Sequence, residues 1–303
     1  MPKTWVELIV EIPPSLGETV SSFLIERGSP GVIQEEVPGP AHRKKERIIA
    51  YFPNGRNFAK KGREIQSFLT SVSKLHPGSF TFHHRVIQEE KWAENWKDNF
   101  KPLRITPRIV VKPPWEEYTR QRSDLVIEID PGMAFGTGTH PSTQMCVQAL
   151  EETVRSFPRF SSMLDVGTGS GILSIAARKL GMGHVWAVDI DPVAIDNARK
   201  NALANNIHRG LAFRVGSLNG LRRKFDIIVA NLLPQELLGI VPLLPKRMSS
   251  GAILIVSGLL RGQKKEILSA FSEHGLEILR SLGSKGWACL VLRQKAENAN
   301  GGR

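Results

Sequence analysis

From Ser142 to the end of the chain, segments with strand and helix character alternate, and this alternation constrains the fold more than any other feature. Helical spacing over 142–156 precedes a strand at 162–166, and helix 171–181 precedes strand 184–189. Helix 192–206 precedes strand 211–215, strand 225–230 precedes helix 234–245, and strand 251–257 precedes helix 262–274. Such alternation predicts an α/β domain with a mostly parallel sheet. Two final strands, near 276–282 and 286–292, are separated by Gly283-Ser284-Lys285-Gly286 alone. That is too short for a crossover helix, so the last strand is predicted to be antiparallel. The expected sheet has seven strands and closes with a hairpin.

The first 88 residues read differently. Trp5 to Ile12 alternates as a strand, and Pro13-Pro14 stops it. Helices are predicted at 15–27 and 57–75, and strands at 31–37, 47–52 and 79–87. The order β-α-β-β-α-β is that of a ferredoxin-like α+β domain. Residues 89–101 suit a linker helix, because Trp92, Trp96 and Phe100 recur every four residues on one face and Pro102 follows. Short strands around Pro113-Pro114 are expected over 103–130. The predicted organisation is an N-terminal domain (1–88), a linker (89–101), an α/β domain (102–293) and a tail (294–303).

Among the histidines of the first domain, His76, His83 and His84 lack the companions of a metal site, and core or surface roles are expected. With 303 residues, 41% of them hydrophobic and 23% charged, a disordered or collagen-like chain is excluded. No apolar run approaches the roughly 18 residues that span a bilayer. The segment Met1–Val10 has no signal-peptide pattern, and Cys146 and Cys289 are expected as buried thiols. A cytoplasmic protein is expected. The net charge of +12 is uneven, with eight Lys or Arg against two Glu from Arg43 to Glu64. This is a solvated basic face or a contact for RNA or a ribonucleoprotein.

Chemistry concentrates at four places. Leu164-Asp165-Val166-Gly167-Thr168-Gly169-Ser170-Gly171 follows a strand and opens a helix, as a turn cradling a ligand against backbone amides does. A dinucleotide fingerprint needs glycine at 172, where Ile172 stands, and the spacing argues for a nucleoside ligand without a pyrophosphate. Asp189 ends the next strand, 22 residues after Gly167, placed to accept from two ribose hydroxyls. Asp191 is expected to cap the helix begun by Pro192. Asn231 ends the strand Asp226–Asn231 and faces the crevice beyond the strand ends; its amide suits orienting an amine. Upstream, Asp130 to Thr143 is rich in glycine and threonine and suits a loop folding over a ligand; His140 beside Pro141 is expected to be structural.

Together the runs Asp130–Thr143, Leu164–Ile175, Val188–Pro192 and Ala230–Leu233 resemble the ribosomal protein L11 methyltransferase (PrmA) family, within the S-adenosylmethionine-dependent methyltransferases with a seven-stranded Rossmann-like fold. Trp92–Pro102 resembles the segment joining that family's two domains. The resemblance covers roughly 85–293; the first 85 residues match in layout. It implies S-adenosyl-L-methionine as cofactor and ribosomal protein L11 as substrate, trimethylated on lysine side chains and the N-terminal α-amine. It also implies that the N-terminal domain recognises that substrate. The family's cofactor contacts fall on Thr143, Gly167, Asp189 and Asn231, Thr143 coming from the resemblance alone. Gly169 and Asp165, in the same turn, complete the candidate cofactor set, and Asn231 is the candidate catalytic residue. Trp287, on the last strand, is a candidate aromatic wall for a methylated cation, with core packing the simpler role. No metal is expected, and the protein is expected to act as a monomer without a membrane.

Other readings stay open. Enzymes that methylate nucleobase amines carry Asn or Asp followed by Pro-Pro and an aromatic, whereas Asn231 is followed by Leu232-Leu233-Pro234. The basic charge still favours an RNA substrate, with possible contact to ribosomal RNA through the N-terminal domain. The lysine of another protein, and a non-catalytic ribosome-assembly role, are the remaining alternatives.

Overall fold

Alternation along Thr4–Ile12 builds the first sheet, because it puts Val6, Leu8, Val10 and Ile12 on one face and Trp5, Glu7, Ile9 and Glu11 on the other. The computed structural model describes residues 4–29, 32–38, 44–54, 58–75, 80–88, 100–130 and 138–295. The chain divides into two units, Met1–Lys101 and Pro102–Arg303. In the first, β1 (Thr4–Ile12), α1 (Gly17–Glu26), β2 (Val32–Pro38), β3 (Lys44–Pro53), α2 (Phe58–Leu75) and β4 (Thr81–Gln88) follow in order. The sheet runs β2-β3-β1-β4, and every pairing is antiparallel. Val6, Leu8, Val10 and Ile12 bury against Val20 and Leu24 of α1 and Ile65 and Leu69 of α2. On the other face the Glu7 carboxylate is buried but paired. It accepts from the Tyr51 hydroxyl at 3.1 Å and binds the Arg85 guanidinium. Burial and that carboxylate push the Tyr51 phenol well above its ordinary range.

The second unit begins with a small sheet, β5 (Leu103–Arg104), β6 (Ile109–Lys112) and β7 (Leu125–Glu128). It continues as α3 (Pro141–Ser156), β8 (Ser162–Val166), α4 (Ile172–Lys179), β9 (His184–Asp189), α5 (Pro192–Ala204), β10 (Leu211–Val215) and β11 (Phe225–Asn231). It ends with α6 (Pro234–Ile240), β12 (Met248–Leu260), α7 (Lys264–Glu273), β13 (Leu276–Ser284) and β14 (Trp287–Gln294). Seven strands form one mixed sheet in the order β10-β9-β8-β11-β12-β14-β13. The strands β8 to β12 are parallel, and β14 is antiparallel to both neighbours, as the short final turn predicts. That turn narrows to Lys285-Gly286, both with positive φ (43° and 80°), the geometry of a two-residue hairpin. Apolar side chains pack on both sheet faces, one core around Ile175, Val229 and Ile255 and the other around Leu164, Phe225 and Leu254. Cys146 and Cys289 are buried free thiols.

Several expectations need correction. The helix expected over 234–245 ends at Ile240 and continues as two 3-10 turns, Val241–Leu243 and Pro245–Arg247. Pro242 and Pro245 supply no N–H and break the α-helical ladder while the apolar spacing runs on. The strand expected over 251–257 is longer, Met248–Leu260. The last strand reaches Gln294, one residue into the predicted tail. The linker helix over 89–101 lies outside the described residues as far as residue 99, as do His76, loop 131–137 and the tail from residue 296. No helix among the described residues is long and apolar enough to cross a membrane.

Candidate functional site

The candidate residues meet at the carboxyl ends of β9, β8 and β11, three neighbouring strands of the large sheet. From β8 the chain proceeds to β9 on one side, whereas β11 flanks β8 on the other. Open α/β sheets bind ligands in the crevice at such a reversal.

Gly167, Gly169 and Gly171 turn the chain from β8 into α4, with φ of +70°, +54° and +82°. The turn is fastened to β9, since the Gly167 and Thr168 amides donate to the Val188 carbonyl at 2.9 and 3.1 Å. At Gly167 a Cβ would come within 2.3 Å of Leu232 Cδ2. Gly167→Ala is therefore expected to lower stability by about 1–3 kcal/mol, from the left-handed backbone and the displaced Leu232. Thermal denaturation checks this; an unchanged Tm would contradict the close approach.

Asp189 is tied to this turn. Its Oδ2 accepts from Gly169 N at 3.0 Å and its Oδ1 from Asp191 N at 3.0 Å. An ionised carboxylate offers about four acceptor sites, so two remain for further donors. Asp191 has the capping role expected of it, its Oδ1 accepting from Val193 N at 2.8 Å.

Asp165 is fully buried beneath the turn. Its Oδ2 accepts from Thr168 Oγ1 and Ser174 Oγ, both at 2.7 Å, and from Ser174 N at 3.1 Å, while Oδ1 has no partner among the described residues. Burial pushes its pKa up from 3.8 to about 6, against the opposing effect of the Ser174 and Thr168 hydrogen bonds. The folded state thus holds this proton more tightly than the unfolded chain. Stability contributed by the protonated form is present below about pH 4 and is lost as pH rises towards 6. The loss amounts to about 3 kcal/mol, and Asp165→Asn should abolish it. Urea midpoints of both proteins at pH 4 and pH 7 test this: the variant should gain relative to wild type on going to pH 7, and a constant difference would contradict the assignment.

Asn231, at the end of β11, donates from Nδ2 to Thr143 Oγ1 at 3.2 Å. Its Oδ1 is buried without a hydrogen-bond partner among the described residues. A buried acceptor left unpaired costs about 1–3 kcal/mol, which a ligand donor would recover. Thr143 is itself buried on the first turn of α3. His140 caps this helix, accepting from Ser142 N at 3.3 Å, with its ring edge-on to Trp287 at 4.4 Å. Burial lowers its pKa to about 4, so it is neutral at pH 7 and holds the helix start in place. Trp287 packs in the apolar core.

Three supporting residues escape the sequence reading. Asn201, buried on α5, donates to the Ser170 and Asp130 carbonyls at 2.9 and 3.2 Å, and its Oδ1 accepts from Asp130 N at 3.0 Å. It joins the glycine turn to the start of the Asp130–Thr143 segment. Asn205, four residues on, clasps the Glu128 backbone in the same way. The available signal was helical spacing that puts both amides on the buried stripe with Ala194, Ala198 and Ala202. The third, Ser174, supplies two of the bonds to Asp165. Among the described residues no cluster of His, Cys, Asp and Glu could hold a metal ion. Three features therefore converge: a left-handed glycine turn, a carboxylate with spare acceptor sites, and two buried oxygens without a partner among the described residues, Asn231 Oδ1 and Asp165 Oδ1.

The model of the family described as ribosomal protein L11 methyltransferase (PrmA) matches residues 4–295. A ribosomal protein L11 methyltransferase from Pelobacter propionicus is 36% identical over 307 residues, covering 98% of this chain and 99% of the relative. One from Geobacter sp. strain M21 is 38% identical over 312 residues, covering 97% and 99%. The crystal structure of a ribosomal protein L11 methylase from Lactobacillus delbrueckii subsp. bulgaricus is similar with a TM-score of 0.60 at 33% identity, covering 65% of this chain and all of that one.

Proposed function

Because the chain belongs to the ribosomal protein L11 methyltransferase (PrmA) family, we propose that it methylates amines of ribosomal protein L11, lysine side chains and the N-terminal α-amine, using S-adenosyl-L-methionine. The observation that carries this reading is the buried Asn231 Oδ1, without a hydrogen-bond partner among the described residues and held beside Thr143 at the crevice. When bound, S-adenosyl-L-methionine supplies a methyl group on a sulfonium, already a good leaving group. The residues present fit it. Asp189 has acceptor sites for two ribose hydroxyls, and the Gly167–Gly169 turn admits a nucleoside close to backbone. Thr143, Asp165 and Asn231 complete the cradle.

An amine accepts a methyl group only when neutral. A lysine with pKa about 10.4 is neutral only about 0.04% of the time at pH 7, and an α-amine near 8 roughly a tenth of the time. Removing the amine from water, next to positive charge, lowers its pKa. Asn231 Oδ1 then accepts one amine N–H and aims the nitrogen lone pair, an orientation effect. The proton leaves to water. One acceptor, and not several, leaves the amine free to rotate between successive transfers.

The finer architecture belongs to the same reading. The sheet order β2-β3-β1-β4 with two helices supports a ferredoxin-like N-terminal domain (1–88) that recognises substrate. The linker (89–101) joins it to a Rossmann-like methyltransferase domain (102–293). A monomer acting in the cytoplasm, with the basic N-terminal segment touching ribosomal RNA, completes the proposal.

Methyl-labelled cofactor given to the enzyme with an equimolar mixture of L11 and ribosomal RNA tests the proposal. Label is expected in the protein; label in RNA alone would favour the nucleic-acid reading.

A further inference from the structure

On the helix-covered face of the first unit, one strand is covered only in part. Phe82, His84 and Val86 of β4 project from the same sheet face as Val10, Leu8 and Val6, their register partners in the core. Yet Val86 is 60% exposed and His84 is exposed. Between α2 and β4 lies a cavity of about 220 Å³. It is floored by Val6, Leu8 and Phe52 and walled by Phe58, Ile65 and Leu69. Gly62, in the second turn of α2, keeps the wall open; a Cβ there would already approach Phe58 at 3.3 Å. Arg63, Gln66 and His84 also line it, and none of the three has a hydrogen-bond or ion-pair partner among the described residues. The strand β4 is also an edge, paired only with β1 among the described strands, so alternate backbone groups face outward.

Three properties identify the occupant. The volume is below the roughly 300–1,000 Å³ of small-molecule clefts, and the largely apolar lining suits an apolar anchor side chain. Among the described residues the polar lining offers the unpaired Arg63 guanidinium and no carboxylate, so the complement is an acidic group beside that anchor. The bare strand edge recognises extended backbone, and side chains two apart on an added strand share a face. We infer that β4 and this cavity form a docking groove for an extended segment of the methyl-accepting protein. That segment adds to the sheet at β4, places an apolar side chain in the cavity and sets a carboxylate against Arg63. This inference rests on the proposed protein substrate and names how the N-terminal unit would hold it.

Full-length Gly62→Leu fills the cavity, and Arg63→Glu reverses the charge at an exposed position that the fold does not use. With L11 as substrate, each should raise KM at least tenfold while leaving kcat and affinity for S-adenosyl-L-methionine unchanged. In wild type, adding L11 should slow deuterium uptake by the β4 amides, and Gly62→Leu should remove that protection. Unchanged or lowered KM in both variants, with wild-type turnover intact, overturns the groove and leaves the functional reading standing. Protection of β4 by octanoate but not by L11 overturns it in favour of a small carboxylate site. A wild-type enzyme that never methylates L11 contradicts the functional reading itself.

Discussion

Asp189→Ala should weaken S-adenosyl-L-methionine binding by roughly 10²- to 10⁴-fold, measured by isothermal titration. Two hydrogen bonds from ribose hydroxyls to a carboxylate contribute about 1.5–3 kcal/mol each, and each 1.4 kcal/mol is a factor of ten. The carboxylate also fastens the Gly169 amide at 3.0 Å, so its loss loosens the turn proposed to receive the nucleoside. Asp189→Asn keeps one oxygen and should fall between. The effect is specific to the cofactor: circular dichroism of the free protein should change little, because both bonds lie at the surface of the crevice and outside the core. A variant that binds as tightly as wild type would remove Asp189 from the site.

Asn231→Ala should lower kcat by about 10²- to 10³-fold, the range seen when one positioned polar group at a reacting centre is deleted, with a smaller effect on cofactor affinity. Asn231→Asp gives a sharper test. A carboxylate at this place stabilises the ammonium form and raises the pKa of the bound amine. Below that raised pKa the amine is protonated and unreactive. The rate should therefore be depressed at pH 7 and recover as pH rises, shifting the alkaline-rising limb of the pH–rate profile upward. An Asp variant with the wild-type profile would mean that Asn231 does not touch the amine. Thr143→Val should move Asn231 less severely, by removing the hydroxyl that receives its Nδ2 at 3.2 Å.

The second unit was more legible in sequence than the details of its site. Strands at 184–189 and 211–215 fall where the apolar runs put them, and the four-residue spacer at 283–286 foretold the antiparallel β14. These features are local: a run, a period or a turn length carries each. Helix α6 was overextended because Val241 and Leu244 keep helical spacing while Pro242 and Pro245 remove hydrogen-bond donors. Asn201 was missed for the opposite reason. Its partner Asp130 lies 71 residues away, and no local pattern announces which backbone a buried amide will clasp. The same holds for Asp165. Its position in the glycine motif marked it as a candidate, but the unpaired Oδ1 and raised pKa come from burial beneath a turn sealed by Ser174 and Thr168. Likewise β4 read as an ordinary strand. Only the packing of α2 reveals that Val86, on the core-facing side, is left in the open.

The most direct test of the account is intact-mass spectrometry of L11 after incubation with S-adenosyl-L-methionine and either the wild-type enzyme or Asp189→Ala. The account predicts added mass in whole multiples of one methylene on L11 with the wild-type enzyme, and an unchanged mass with the variant under the same conditions. Unmodified L11 with the wild-type enzyme, or equal modification by both proteins, would contradict it.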